Sequence, residues 1–384
     1  MNGLSKSIMR IRTSSTGRKK FLYVLLIACC SMQPLWVQAP VTTAEPEKKE
    51  ATWGMFPLVV PLYTPETRLM VAGGGIFWYN PWPGAPRKRV SELMTFFKAS
   101  QNQQYGLGII AEAYFLQHRL KIMQNLDAYQ QPYVAWGVGA LTPTAQEEKF
   151  EARGFANRTS AMWLIAEDLY FGVMWQSQFD RIASENPAGY LQTVQPFGYD
   201  GTRANGPGLH LLLDTRDNAF SPERGHWFEA RIFHSNETFA ARGNFTQSTI
   251  DYRYFQRLWF GHVLALNAYL VTTAGDVGWY AMPRLGGQFQ MRGFFQGRYL
   301  DRHLWTTQVD YRLPVWWRFG LVLFTGVGDV TDDLARPLSS RFKFSYGSGV
   351  RILIDKEQKI NMRLDLGATN QGDLNFYFTF KEAF

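Results

Sequence analysis

The stretch LNFYFTFKEAF, residues 374–384, places Leu374, Phe376, Phe378, Phe380 and Phe384 on one side of an extended chain. A period of two is the signature of a strand. A face this aromatic would aggregate in water, yet it suits lipid. The same period recurs upstream. In INMRLDLG the residues Ile360, Met362, Leu364 and Leu366 alternate with Asn361, Arg363 and Asp365. In HLWTTQVDYRL the residues Trp305, Thr307, Val309, Tyr311 and Leu313 oppose Thr306, Gln308, Asp310 and Arg312. The second face is polar and charged, as a wet barrel lumen requires.

The remaining composition is consistent with this. Of 384 residues 16% are aromatic and only 19% charged, with 34 glycines, which suits many strands and turns. The formal charge of +8 is not a nucleic-acid footprint. Lys6, Arg10, Arg12, Arg18, Lys19 and Lys20 lie before residue 45, where there is no acid, and the rest of the chain carries 34 basic against 32 acidic residues. This basic start runs into FLYVLLIACC, too short to span a bilayer and laid out like a secretory signal. Residues 1–44 are expected to be that signal, with cleavage after Ala44 or Ala39. A rival resemblance is to a lipoprotein signal, in which Cys29 of LIAC would be lipidated. Cys29 and Cys30 are the only cysteines, so cleavage would leave no thiol or disulfide. Residues 45–55 are expected to form a short polar linker and 56–384 one domain.

An export signal, strands of about ten residues with one apolar and one charged face, and no ~18-residue apolar helix together predict an all-β, antiparallel outer-membrane barrel. Its partner along the outer wall is outer-membrane lipid. Fourteen to seventeen candidate strands can be marked. The connections after segments 169–181 and 261–272 are long and are expected to face the outside. One of them, RLGGQFQMRGFFQGRYLDR (284–302), fits no secondary-structure period. It holds four glycines and four aromatic residues among its arginines, so it reads as an ordered, functional loop.

At this point the residues resemble the bacterial surface antigen family, the barrel domain of the BamA/TamA outer-membrane assembly and translocation superfamily. The resemblance rests on PLYTPETRLMVAGGG (61–75) as a first strand, GLHLLLDTRDNAFSPERGHWFEARI (208–232), the Arg292-Gly293-Phe294 signature and the closing strand ending in Phe384. It implies sixteen strands and a sixth extracellular loop folded into the lumen, its Arg-Gly-Phe tip held by the inner wall. Asp310 is the expected partner of Arg292, because it lies on the polar face of the next strand. The family's second acidic anchor corresponds to Gly326 in the stretch from Phe324 to Gly328, so one anchor is expected to be missing and the loop to be held less firmly. Arg292 could equally be a brace with no part in moving substrates.

Other residue groups carry less. Asp214, Arg216 and Asp217 are expected to form a strand-end network. Asp329, Asp332 and Asp333 lack the spacing of a calcium loop, the six histidines lack metal-ligand spacing, and Ser348 in YGSGV lacks the nucleophile-elbow context. No cofactor or metal and no enzymatic activity is expected. Between residue 45 and the first strand there is no room for the periplasmic capture modules of ~75 residues that family members usually carry, so a barrel alone is expected, with a partner delivering clients. The resemblance implies insertion or export of outer-membrane proteins or lipids through a seam between first and last strands, with Leu69 and Phe378 as its expected flanks. The alternative is a passive pore or structural protein that keeps the fold.

Overall fold

A computed structural model describes residues 53–79, 90–184, 186–335, 342–356 and 359–384. The expected signal segment lies outside the described residues. Sixteen antiparallel strands close into a barrel. The first eight are β1 (Trp53–Thr64), β2 (Arg68–Tyr79), β3 (Ser91–Ser100), β4 (Tyr105–Phe115), β5 (Leu120–Ala135), β6 (Glu148–Ala166), β7 (Leu169–Ala183) and β8 (Arg203–Asp214). There follow β9 (Gly225–Ser235), β10 (Phe245–Arg257), β11 (Val263–Gly275), β14 (His303–Trp316), β15 (Phe319–Thr331), β16 (Lys343–Asp355), β17 (Ile360–Thr369) and β18 (Leu374–Phe380). Two short strands, β12 (Arg284–Leu285) and β13 (Tyr299–Leu300), pair with each other inside the long β11–β14 loop. By the rule that long loops face outward, the end carrying this loop and the 184–202 connection is extracellular.

The alternation read from the sequence is the alternation of burial. On β14 Leu304, Thr306, Gln308, Asp310 and Arg312 are buried, while Thr307 is exposed between them. On β17 Arg363 and Asp365 are buried and Leu366 is exposed. Large apolar residues face outward around the wall, among them Leu107, Val173, Leu209, Leu323 and Phe376, because lipid rather than a protein core covers them.

The start and the end of the chain's strands depart from expectation. β1 begins at Trp53, inside the expected linker, and the stretch 61–75 is a hairpin, not one strand. Pro65 breaks it, and the Thr64 hydroxyl accepts the Thr67 N–H (3.3 Å) and meets the Thr67 hydroxyl (3.0 Å) to close the turn. Leu69 therefore lies on β2, and the residue of β1 that faces Phe378 is Tyr63.

That pair is the whole β1–β18 ladder, whereas β1 pairs with β2 along its entire length from Trp53 to Thr64. The cause is at the C-terminus. Continuing the antiparallel register from Tyr63 sets Pro61 against Phe380, where β18 ends. Residues Trp53–Val60 thus extend beyond β18, and Pro57 and Pro61 remove two N–H donors from a strand that behaves as an edge.

Lys381 takes a left-handed φ of 64° and turns the chain inward. Phe384, expected on the lipid face with Phe376, Phe378 and Phe380, is instead buried against Phe255 and Ala265 inside the barrel. The alternation fails because the strand has ended before it. From the opposite wall the β8–β9 connection, residues 215–224, meets this tail: Lys381 Nζ lies 4.6 Å from the centre of the Phe220 ring, and Arg312 bridges the two by donating to Pro222 O (3.2 Å) and Phe384 O (3.1 Å). Together they occupy the periplasmic mouth.

Removing the Phe384 ring should therefore cost far more than removing a lipid-facing one. Phe384→Ala is expected to destabilise the barrel by about 3–5 kcal/mol, and Phe376→Ala by clearly less, in urea unfolding followed by gel-shift of the folded form.

Candidate functional site

The β11–β14 loop enters the lumen and is packed there by its own apolar residues. Leu285, Met291, Phe294 and Tyr299 form a cluster with Leu304 and Val330 of the wall and Ala140 of the β5–β6 connection. This places Arg292, 1% exposed, at the tip. A guanidinium buried so deeply needs acceptors, and leaving it unpaired would cost several kcal/mol. One is Asp310 of β14, which Arg292 Nη2 contacts directly. The other is Asp365 of β17, whose Oδ2 lies 2.9 Å from Arg292 Nη1. The ring of Phe324 lies beneath, 3.8 Å from the guanidinium carbon.

Asp365 takes the place of the anchor expected to be missing. Gly326 leaves room for Met291 instead: a Cβ there would sit 3.5 Å from the Met291 side chain and 3.2 Å from Gln308. The expectation of a loosely held loop is thus corrected, since the second carboxylate comes from another strand.

The rest of the tip is fixed by the last two strands. Gly293, at φ +113°, donates its N–H to the Tyr377 hydroxyl (3.0 Å) and accepts from Asn375 Nδ2 (2.6 Å). The opposing wall is stripped of side chains to admit it. A Cβ at Gly367 would lie 2.8 Å from Gly293 N, one at Gly347 would lie 2.4 Å from the Phe324 ring, and one at Gly349 would overlap Asp365. The glycines around Ser348 are therefore clearance for this tip. Farther along the loop, Gln296 N–H donates to Glu66 in the β1–β2 turn (2.7 Å), and burial raises that carboxyl above its ordinary range. Loop contacts therefore reach both sides of the β1–β18 seam.

The network continues downward. Arg351 bridges Asp365 (2.5 Å) and Glu382 of the tail (2.8 Å), while Arg363 lies 3.4 Å from Asp365 and donates to Thr379 (2.7 Å). Arg312 Nη2 donates to the Phe384 main-chain oxygen (3.1 Å). Burial would raise the Glu382 carboxyl, but Arg351 and Arg312 outweigh it and hold it down at about 2. The loop tip and the C-terminal tail are thus ends of one buried array of charges.

The predicted strand-end residues do meet. Arg216 binds Asp214 through two nitrogens (2.8 and 3.0 Å) and covers the Trp227 ring at 4.4 Å. Asp217 Oδ1 accepts the N–H groups of Glu223 (2.9 Å) and Arg224 (3.2 Å), which folds the connection that reaches the tail. Sequence reasoning missed a luminal alignment, in which Ser160 Oγ lies 2.9 Å from His210 Nδ1 and His210 Nε2 lies 3.0 Å from Glu229 Oε1. Its residues come from three strands with no local motif. Ser160 is 1% exposed and is not among the residues that line the luminal cavity. Among the described residues no three or more His, Cys, Asp or Glu side chains converge as a metal site.

The Omp85 superfamily domain matches residues 94–384. The chain belongs to the Omp85 superfamily. Among solved structures it is similar to BamA from Haemophilus ducreyi lacking POTRA domains 1–3, with a TM-score of 0.56 at 11% identity, covering 86% of this chain and 70% of that one. It is also similar to CdiB from Acinetobacter baumannii, with a TM-score of 0.52 at 10% identity, covering 86% of this chain and 60% of that one. No curated protein matches. The Omp85 match and these likenesses give a sixteen-stranded outer-membrane barrel, and lipid surrounds its wall.

Arg292→Ala strands the buried Asp310 carboxylate and removes one of the cations on Asp365, and should lower the unfolding midpoint by an amount worth about 3–5 kcal/mol, with Arg292→Lys recovering only part because a single ammonium cannot fork to both. The check is heat-modifiable gel mobility of the barrel against temperature.

Glu382 makes a pH prediction. Its folded pKa lies below the ordinary 4.5, so its contribution is present above about 4.5 and lost as pH falls toward 2. Wild type should exceed Glu382→Gln by about 3 kcal/mol at pH 7, with the gap closing between pH 5 and 2.

Proposed function

We propose that this Omp85 barrel takes part in inserting or exporting outer-membrane proteins or lipids, with the β1–β18 seam as the lateral exit. The observation that carries the proposal is the seam itself: one registered pair, Tyr63 opposite Phe378, beside an edge that runs on unpartnered from Trp53 to Val60. Exposed strand edges accept further strands by main-chain hydrogen bonding, so an incoming client strand would add to β1 as in β-augmentation. In this reading Arg292, Gly293 and Phe294 form the tip of a clamp. Asp310 and Asp365 seat it on the wall, and Asn375, Tyr377 and Glu66 connect it to the two sides of the seam. Asp214, Arg216 and Asp217 shape the periplasmic connection that meets the tail. Clients would be delivered by a periplasmic or outer-membrane partner.

A passive pore is the weaker reading. The loop spans the lumen, its tip seated on β14 to β18 and its Gln296 carbonyl accepting from Tyr133 of β5 on the facing wall (2.9 Å), while the tail and residues 215–224 meet at the periplasmic mouth. A luminal cavity of about 720 Å³ lies beside the loop, lined by residues such as Lys98, Gln104, Tyr129 and Arg284.

Cysteines at Tyr63 and Phe378 face each other across the seam and should form a disulfide that locks it. In cells depleted of the native protein, the oxidised Tyr63→Cys/Phe378→Cys form should fail to restore particular outer-membrane proteins or lipids, and the reduced form should restore them, as measured by proteomics and lipid analysis. Full restoration by the locked form would remove the seam from the mechanism.

A further inference from the structure

A second feature lies on the outside of the wall. On β6, β7 and β8 the outward-facing side chains run from Trp163 and Phe171 near the periplasmic end to the Phe155–Phe179 pair, whose rings are 5.2 Å apart. From Phe155 to Ile165 is a span of eleven residues, about what a tilted strand needs to cross the hydrocarbon layer. Immediately beyond this aromatic pair three arginines point outward. Arg153 of β6 stands directly opposite Arg181 of β7, and Arg203 of β8 stands opposite Phe179.

Like charges facing each other across an antiparallel pair destabilise it unless an anion lies between them. Glu151 answers Arg153 at 2.5 Å, and Asp200 answers the nearby Arg242 at 2.5 Å. Arg181 and Arg203 have no side-chain hydrogen bond or ion pair among the described residues. They border a groove of about 1460 Å³ that also contains Phe179 and Arg242, with Glu151, Asp180, Asp200 and Glu237 as its acids. Just below, the wall is polar rather than apolar: Ser177 Oγ and Trp175 Nε1 donate to Asn205 (2.6 and 2.9 Å), and Asn205 Nδ2 donates to Phe239 O (2.6 Å). Two free guanidiniums bordering a groove at the level where the extracellular lipid headgroups begin match a lipid phosphate, which arginine forks bind, and the outer leaflet of an outer membrane carries its phosphates on a sugar.

We propose that Arg181 and Arg203, with Arg153 and Arg242 beside them, bind the phosphorylated sugar headgroup of an outer-leaflet glycolipid. The site is on the opposite surface of the wall from the loop-tip network and does not depend on the seam.

The test uses the full-length barrel in nanodiscs of phosphatidylethanolamine and phosphatidylglycerol, with and without bisphosphorylated lipid A, and native mass spectrometry to count retained lipid. The wild type should retain lipid A over phosphatidylglycerol, and Arg181→Gln/Arg203→Gln should reduce that retention roughly tenfold while the heat-modifiable shift stays unchanged. Arg181→Lys/Arg203→Lys should recover part of it, which keeps the test informative if the Gln variant folds poorly. Dephosphorylated lipid A should be retained poorly, and excess inorganic pyrophosphate should not substitute for the lipid. Equal retention by the Gln variant, equal retention of the dephosphorylated lipid, or a change only in self-association would overturn the proposal.

Discussion

Arg292 is a cation enclosed by the protein, and much of the barrel interior is arranged around that fact. Its guanidinium is tolerable only because Asp310 and Asp365 reach it from strands that are not neighbours, β14 and β17. Those carboxylates in turn need the right packing of Phe324 and Met291, and the tip needs a wall free of side chains at Gly347, Gly349 and Gly367. Arg351 then passes the constraint to Glu382, so the C-terminal tail is drawn inward by the same charges. A tail drawn inward cannot extend β18, and a short β18 leaves β1 without a partner below Tyr63. The weak seam is in this sense a consequence of how the lumen is held together.

Much of this was legible in the sequence. Period-two alternation in segments such as 303–313 and 360–367 gave the strands and which face of each is wet, because lipid outside and water inside impose opposite chemistry on successive residues. Arg292 and Asp310 could be paired because they are close in the chain and share a face. Asp365 could not, although its polar-face position was readable, since nothing local says which luminal acid, three strands along the wall from Asp310, meets a loop 73 residues earlier. Pro65 carries the turn signal that makes 61–75 a hairpin rather than the single strand the resemblance implies. Phe384 followed the alternation on paper but not in the fold, because alternation holds only while the strand lasts and Lys381 ends it.

The two surfaces of the wall do different work on one set of strands. Inside, charges are paired and buried, which fixes a loop and a tail. Outside, above the aromatic boundary on β7 and β8, Arg181 and Arg203 have no side-chain partner among the described residues, and these are the proposed headgroup contacts. The Ser160–His210–Glu229 alignment is a reminder that proximity alone is not chemistry. Its three residues are buried or nearly so and form a luminal hydrogen-bonding arrangement across β6, β8 and β9.

The most direct test of the seam is hydrogen–deuterium exchange of the barrel in nanodiscs, resolved to single strands. Amides of β1 below Tyr63 and of β18 should exchange faster than those of β2 and β17 by orders of magnitude, because their seam-side groups lack a continuous ladder. Protection of β1 and β18 equal to that of β2 and β17 would contradict the account.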